Sequence, residues 1–154
     1  MSLLLALAMA AAQANDPGPV FDCAIGKKRL TVTQEGGALV YRYGTKQRAG
    51  LRMVADAASG RVHYHRTLYP RGEDQTLRFV NGDYSYVVYA NWSAPGMGMT
   101  EEGSTTEAAY GGLIVLKNGE QLISSRCNGE SGDMREWPIF KTLPVDAENL
   151  TPTF

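Results

Sequence analysis

The stretch Thr76–Asn91, TLRFVNGDYSYVVYAN, places the tightest constraint on what this chain can fold into. Two runs rich in apolar, aromatic and β-branched residues meet at Asn81-Gly82, a dipeptide that tolerates positive φ and suits a type I′ turn. The segment therefore reads as a β-hairpin. In its second strand Tyr84, Tyr86, Val88 and Ala90 fall on one face and Ser85, Val87, Tyr89 and Asn91 on the other. Both faces are substantially apolar or aromatic, so the strand is expected to be central or to lie between two layers. The remaining chain is expected to assemble around this hairpin.

The flanking sequence repeats the same grammar. Val20–Ile25 and Arg29–Gln34 are short strands; in the second, Leu30 and Val32 alternate with Thr31 and Thr33 at the period of a half-buried strand. Gly36-Gly37 then turns the chain into Ala38–Tyr43, and further strands are predicted at Leu51–Ala55 and Arg61–Tyr69. Leu113–Lys117, Asn118-Gly119 and Glu120–Cys127 form a second clear hairpin. Residues 93–112 lack periodicity and are rich in Gly, Ser and Thr, which reads as a long loop. Trp137-Pro138-Ile139-Phe140 is expected to pack as one apolar patch before a C-terminal tail from 141 that frays at 151–154. No segment sustains helical periodicity. About eight short strands separated by turn signals predict a single antiparallel β-barrel or sandwich.

The first fourteen residues, MSLLLALAMAAAQA, hold an apolar run ending in the small-x-small pattern Ala12-Gln13-Ala14, as in a secretory signal peptide. The run is shorter than the ~20 residues a membrane span needs, so no transmembrane segment is expected in the mature chain. Residues 15–154 then form one β domain, placed in the periplasm or secreted. Cys23 and Cys127 are the two cysteines, and an even pair in an exported chain reads as a disulfide. They are not in a C-x-x-C arrangement, which argues against a redox or metal pair.

Fifteen Lys and Arg residues stand against sixteen Asp and Glu, a balance unlike the basic footprint of a nucleic-acid binder. The signs are unevenly spread: residues 1–82 carry eleven basic and six acidic residues, residues 83–154 four and ten. This asymmetry hints at a two-signed surface. Catalysis has little support, since no G-x-S-x-G elbow exists and neither histidine sits in a nucleophile motif. An acid pair of the glycosidase kind is visible only in a fold. His63 and His65, at i and i+2, would share a strand face and suit two metal ligands, but a site needs a third, for which Asp56, Glu73 and Asp74 are candidates only by nearness in sequence. Met97 and Met99 would suit Cu(I) only with further ligands. No metal or cofactor is therefore assigned. The eight tyrosines outnumber the four phenylalanines and read mainly as core, with some left for recognition of glycan or protein. Asn91-Trp92-Ser93 matches the N-glycosylation pattern.

Between Ala58 and Leu77 the chain reads ASGRVHYHRTLYPRGEDQTL. This segment resembles the signature of the periplasmic and membrane-bound inhibitors of c-type lysozyme, an Ala-Ser-Gly-x-x-Tyr element followed by aromatic-x-Lys-Gly and an apolar strand. Phe21-Asp22-Cys23 and a last strand ending at Cys127 are similar to the frame of that family. The resemblance implies a small β-barrel that inserts a hydroxyl and a cation into the acidic cleft of a lysozyme-like hydrolase, roles that would fall to Ser59 and Arg71. A hydroxyl and a cation complement an acid pair, with Tyr64 and Tyr69 as flanking support. This sequence departs from the pattern by one extra residue before Tyr64, by Pro70 after Tyr69, and by Arg71 in place of Lys. The functional expectation is an exported, non-enzymatic binding protein of the bacterial envelope whose partner is such a hydrolase. The alternative is a structural or cell-wall glycan-binding module using surface tyrosines.

Overall fold

The computed structural model describes residues 18–48, 50–96, 108–129, 132–134, 136–150 and 152; the expected signal segment, Met97 and Met99 lie outside them. Nine strands follow in chain order: β1 Phe21–Ile25, β2 Lys28–Glu35, β3 Ala38–Gly44, β4 Leu51–Asp56, β5 Val62–Tyr69, β6 Gly72–Asn81, β7 Tyr84–Ser93, β8 Ala108–Lys117 and β9 Glu120–Arg126. They form two antiparallel meanders, β1-β2-β3-β4 and β5-β6-β7-β8-β9. The sheets do not close into a cylinder, so of the two predicted architectures the sandwich is the one present.

Alternation fills the space between the sheets. Leu30 and Val32 of β2, Leu39 and Tyr41 of β3, Leu77 and Phe79 of β6 and Val88 of β7 are all essentially inaccessible to solvent, and each such side chain contributes roughly 1.5–3 kcal/mol by leaving water. Tyr41 spans the gap, its ring 5.4 Å from Phe79 and 5.7 Å from Tyr86. The central strand is covered on both sides, as its composition predicts. Tyr86, Val88 and Ala90 enter the inter-sheet core, whereas Val87 and Tyr89 pack outward with Tyr110, Ile114, Leu116 and Leu150.

The opening hairpin is present, with a different turn. Asn81 pairs with Tyr84, so the loop is Gly82-Asp83. Gly82 has φ 59° and Asp83 is not among the positive-φ residues, the φ pattern of a type II′ turn with glycine at its first central position. Core packing decides this register, because it sets Leu77 opposite Val88 and Phe79 opposite Tyr86. The type I′ pattern belongs to the β8–β9 hairpin, where Asn118 has φ 50° and Gly119 φ 82°.

One further expectation is corrected. Ala108–Gly112 belongs to β8, although its composition reads as loop. Its two glycines are the reason it fits: a Cβ on Gly112 would lie 2.1 Å from the Ser125 carbonyl oxygen and 2.4 Å from the Tyr89 hydroxyl. Beyond the short 3-10 helix Pro138–Thr142 the C-terminal segment runs along the sheet. Leu143 is buried. The Tyr64 N–H donates to Pro144 O at 2.9 Å and the Asp146 N–H to Tyr64 O at 2.8 Å, which covers the outer edge of β5. Arg78 grips the buried Asp146 carboxylate at 2.7 and 2.9 Å. Residues 151, 153 and 154 lie outside the described residues.

The predicted disulfide joins Cys23 of β1 to Cys127, just past β9, across 104 residues. Beside it the Asn128 N–H donates to Ala24 O at 2.7 Å.

Gly112→Ala is expected to lower stability by about 2–3 kcal/mol through overpacking, whereas Gly37→Ala, with open space at its Cβ position, is expected to change it by less than about 1 kcal/mol. Paired urea titrations measure both. Tyr41 is buried, and its hydroxyl has no hydrogen-bond partner among the described residues. Tyr41→Phe is accordingly expected to leave the urea midpoint unchanged or raise stability by up to about 1 kcal/mol.

Candidate functional site

The strands of the second sheet are longer than those facing them: β6, β7 and β8 each run ten residues, against five to eight in the first sheet. The core row Ala90–Gly111 still meets Phe21 of β1. The next row on that face, toward the β5–β6 turn, is Leu68–Glu73–Trp92. It opens a groove of about 440 Å³ lined by Leu68, Tyr69, Arg71, Glu73, Trp92 and Ala94. Leu68 is 67% exposed, Tyr69 49% and Trp92 37%, so large apolar surface is left in water at one rim.

The β5–β6 turn carries the charge of this groove. Tyr69 pairs with Gly72, leaving Pro70-Arg71 as a two-residue loop in which proline presets φ. The Arg71 carbonyl accepts from the Ala94 N–H at 2.8 Å, tying the tip to the end of β7. Glu73 is engaged by Arg66 at 2.6 and 2.8 Å, so its charge is already matched. The Arg71 side chain makes no hydrogen bond or ion pair among the described residues. Tyr69 is held upright by donation to Asp74 at 2.9 Å, a bond that raises its phenol above the ordinary range. The same carboxylate accepts from the Asn91 side chain. A cation flanked by an oriented phenol and two exposed apolar side chains can contact an acidic or sugar-bearing surface.

The four residues singled out from the sequence do not form one constellation. Tyr69 and Arg71 share the groove. Ser59 lies in the β4–β5 turn, at the opposite end of the eight-residue strand β5, roughly 25 Å away by strand rise. Its hydroxyl is absorbed locally, donating to Asp56 O at 2.8 Å and accepting from the Arg61 N–H at 3.2 Å. Tyr64 points inward, stacked on Phe140 at 4.5 Å, with its hydroxyl donating to Gln75 at 2.9 Å. It anchors the C-terminal segment. Leu68 and Trp92 were not singled out from the sequence; the one available signal was bulky apolar residues bordering a turn and a strand end.

His65, Asn91 and the buried tyrosines have structural roles, while the buried His63 Nδ1 has no hydrogen-bond partner among the described residues. His65 has both ring nitrogens engaged, one with Asp146 O at 2.9 Å and one with Thr67 at 3.0 Å. Among the described residues no group of three or more His, Cys, Asp or Glu side chains converges on a metal-sized site. Asn91 of the glycosylation pattern is buried and bonded to Asp74. Of the tyrosines, Tyr41, Tyr89 and Tyr110 are buried core, whereas Tyr69 and Tyr84 are exposed.

Comparison with protein-family models, curated proteins and solved structures returns no match. No helix among the described residues is long and apolar enough to cross a membrane.

Burial pushes the phenols of Tyr64 and Tyr110 up to about 12 each, from an ordinary value near 10. A neutral phenol favoured by the fold contributes stability that is complete below pH 10 and lost as pH rises toward 12. Urea midpoints are therefore expected to fall between pH 10 and 12. Absorbance at 295 nm should show Tyr64→Phe and Tyr110→Phe each removing a late-titrating group.

Proposed function

We propose that this chain is an exported, non-enzymatic binding protein of the bacterial envelope, and that it holds its partner at the rim formed by Leu68, Tyr69, Arg71 and Trp92. The observation that carries the reading is the overhang of the second sheet, which leaves a cation and three large apolar side chains exposed around one groove. Interfaces concentrate their energy in such Trp, Tyr and Arg positions. The disulfide supports a compartment outside the cytoplasm.

The finer form of the proposal is inhibition of a lysozyme-like peptidoglycan hydrolase. The resemblance between residues 58 and 77 motivates it, and Arg71 at the tip of a proline-set turn is the group suited to an acidic cleft. Ser59 has no part in this version, because it lies at the other end of β5. In a hydrolase assay with purified protein and hen-type lysozyme, micromolar excess should inhibit. Arg71→Ala should weaken inhibition at least tenfold and Ser59→Ala by less than about twofold, consistent with loss of a central against a remote contact. No inhibition at micromolar excess ends the hydrolase version. Equal losses in both variants would contradict the assignment of the rim.

A second reading, recognition of cell-wall glycan, is favoured by the exposed faces of Tyr69 and Trp92, since aromatic rings with an oriented hydroxyl suit sugar faces. Retention on insoluble peptidoglycan that is lost in Tyr69→Ala, with no effect on lysozyme activity, would favour it.

A further inference from the structure

The outer face of the first sheet, away from the rim, carries a cavity of about 330 Å³ lined by Arg29, Thr31, Arg42, Lys46 and Arg52 among others. Its volume lies within the range of small-ligand sites, roughly 300–1,000 Å³. Cross-strand register explains the clustering. Thr31 is paired with Arg42, and Arg42 directly with Arg52, so one row across three strands presents a hydroxyl and two guanidiniums on the same side. Arg29 stands two residues before Thr31 and shares its face, and Lys46 comes from the β3–β4 loop.

Like charges directly opposite in an antiparallel pair are destabilising, and the neighbours only partly offset this one. Glu35 bonds Arg42 at 2.7 Å and reaches Arg52 at 4.0 Å, while Asp22 is taken by Arg29. Lys46 forms no ion pair among the described residues. Four cations thus face two carboxylates, a surplus of two positive charges around one cavity. The same excess runs through the whole sheet: residues 20–56 hold seven Lys and Arg and three Asp and Glu. The uneven charge along the chain is concentrated here.

We infer that this cavity binds a phosphate monoester, of the kind carried by a phosphorylated sugar or a lipid headgroup. Such a group bears about −1.5 to −2 charge at neutral pH, which matches the surplus. Arginine forks supply paired N–H donors to phosphate oxygens; Arg29 is engaged by Asp22 and Arg42 by Thr33 and Glu35, so Arg52, 4.0 Å from Glu35, and Lys46 are the donors offered to the phosphate. Bound phosphate would add a second counter-charge beside Glu35 to the Arg42–Arg52 pair. The site is independent of the β5–β6 rim, and its failure would leave the rim proposal standing.

Amide NMR of the mature protein, titrated at constant ionic strength with glucose 1-phosphate, inorganic phosphate and glucose, tests the inference. The phosphates are expected to give saturable shifts at 29–31, 42–46 and 50–52 with a dissociation constant on the order of 1 mM or tighter, and glucose none. Arg52→Gln and Lys46→Gln should each weaken binding several-fold, and Arg52→Gln should melt no lower than the parent, because it removes a repulsion. Sedimentation with phosphatidylcholine vesicles, with and without phosphatidic acid, separates the sources. Retention dependent on phosphatidic acid and lost in Arg52→Gln identifies a lipid headgroup, and saturation in solution without retention identifies a soluble phosphosugar. The inference is overturned if neither assay detects binding, if sodium chloride reproduces the shifts, or if both variants bind like the parent.

Discussion

The covalent bond between Cys23 and Cys127 is the constraint on which the relation of the two sheets depends. The meanders are joined in sequence only by the β4–β5 turn, and among the described residues no edge strand of one sheet pairs with an edge of the other. The disulfide clamps β1 to the end of β9 on the far side, and the Asn128–Ala24 bond continues the seam. Closing a loop of 104 residues restricts the unfolded chain by roughly 4–5 kcal/mol in the entropy model. Phe21, two residues before Cys23, thereby stays against Gly111, and the edge of the covered region is set.

From that edge follows the rim. Because β1 ends its cover at the Ala90–Gly111 row, the next residues of β5, β6 and β7 project past the core. Leu68 and Trp92 are apolar at positions where the period of two would bury them in a larger sheet pair. Here both keep much of their surface exposed, Leu68 67% and Trp92 37%. The C-terminal segment steadies the sheet along its length through Tyr64 on Phe140, Gln75 on Met134 O at 2.9 Å, and Arg78 on Asp146. The proposed binding surface therefore stands on ordered strands, which lowers the entropy cost of using it.

Much of the fold was legible in the residues. Leu30, Val32, Leu77, Phe79 and Val88 follow local alternation, and local alternation survives in the structure because both sheets are simple meanders. What failed was decided by contacts distant in sequence. Ala108–Gly112 reads as loop because its strand character comes from Ser125 and Tyr89 closing over two glycines. The Gly82-Asp83 loop differs from the Asn81-Gly82 turn by a shift that only the Leu77–Val88 packing selects. In the candidate site, Tyr69 and Arg71 line the same groove because a two-residue turn joins their strands. The pairing of Arg71 with Ser59 assumed proximity from a motif, and the extended strand between them keeps the two apart. The basic cavity was visible only as an uneven charge distribution, because Arg42 meets Arg52 through register.

The central claim is that partners are held at the overhanging rim. Amide hydrogen–deuterium exchange of the mature protein, free and saturated with a bound hydrolase or peptidoglycan fragment, addresses it most directly. The account predicts new protection confined to residues 68–73 and 92–94, with the β4–β5 turn around Ser59 unchanged. Protection centred on residues 56–61, with the rim exchanging as in the free protein, would contradict it.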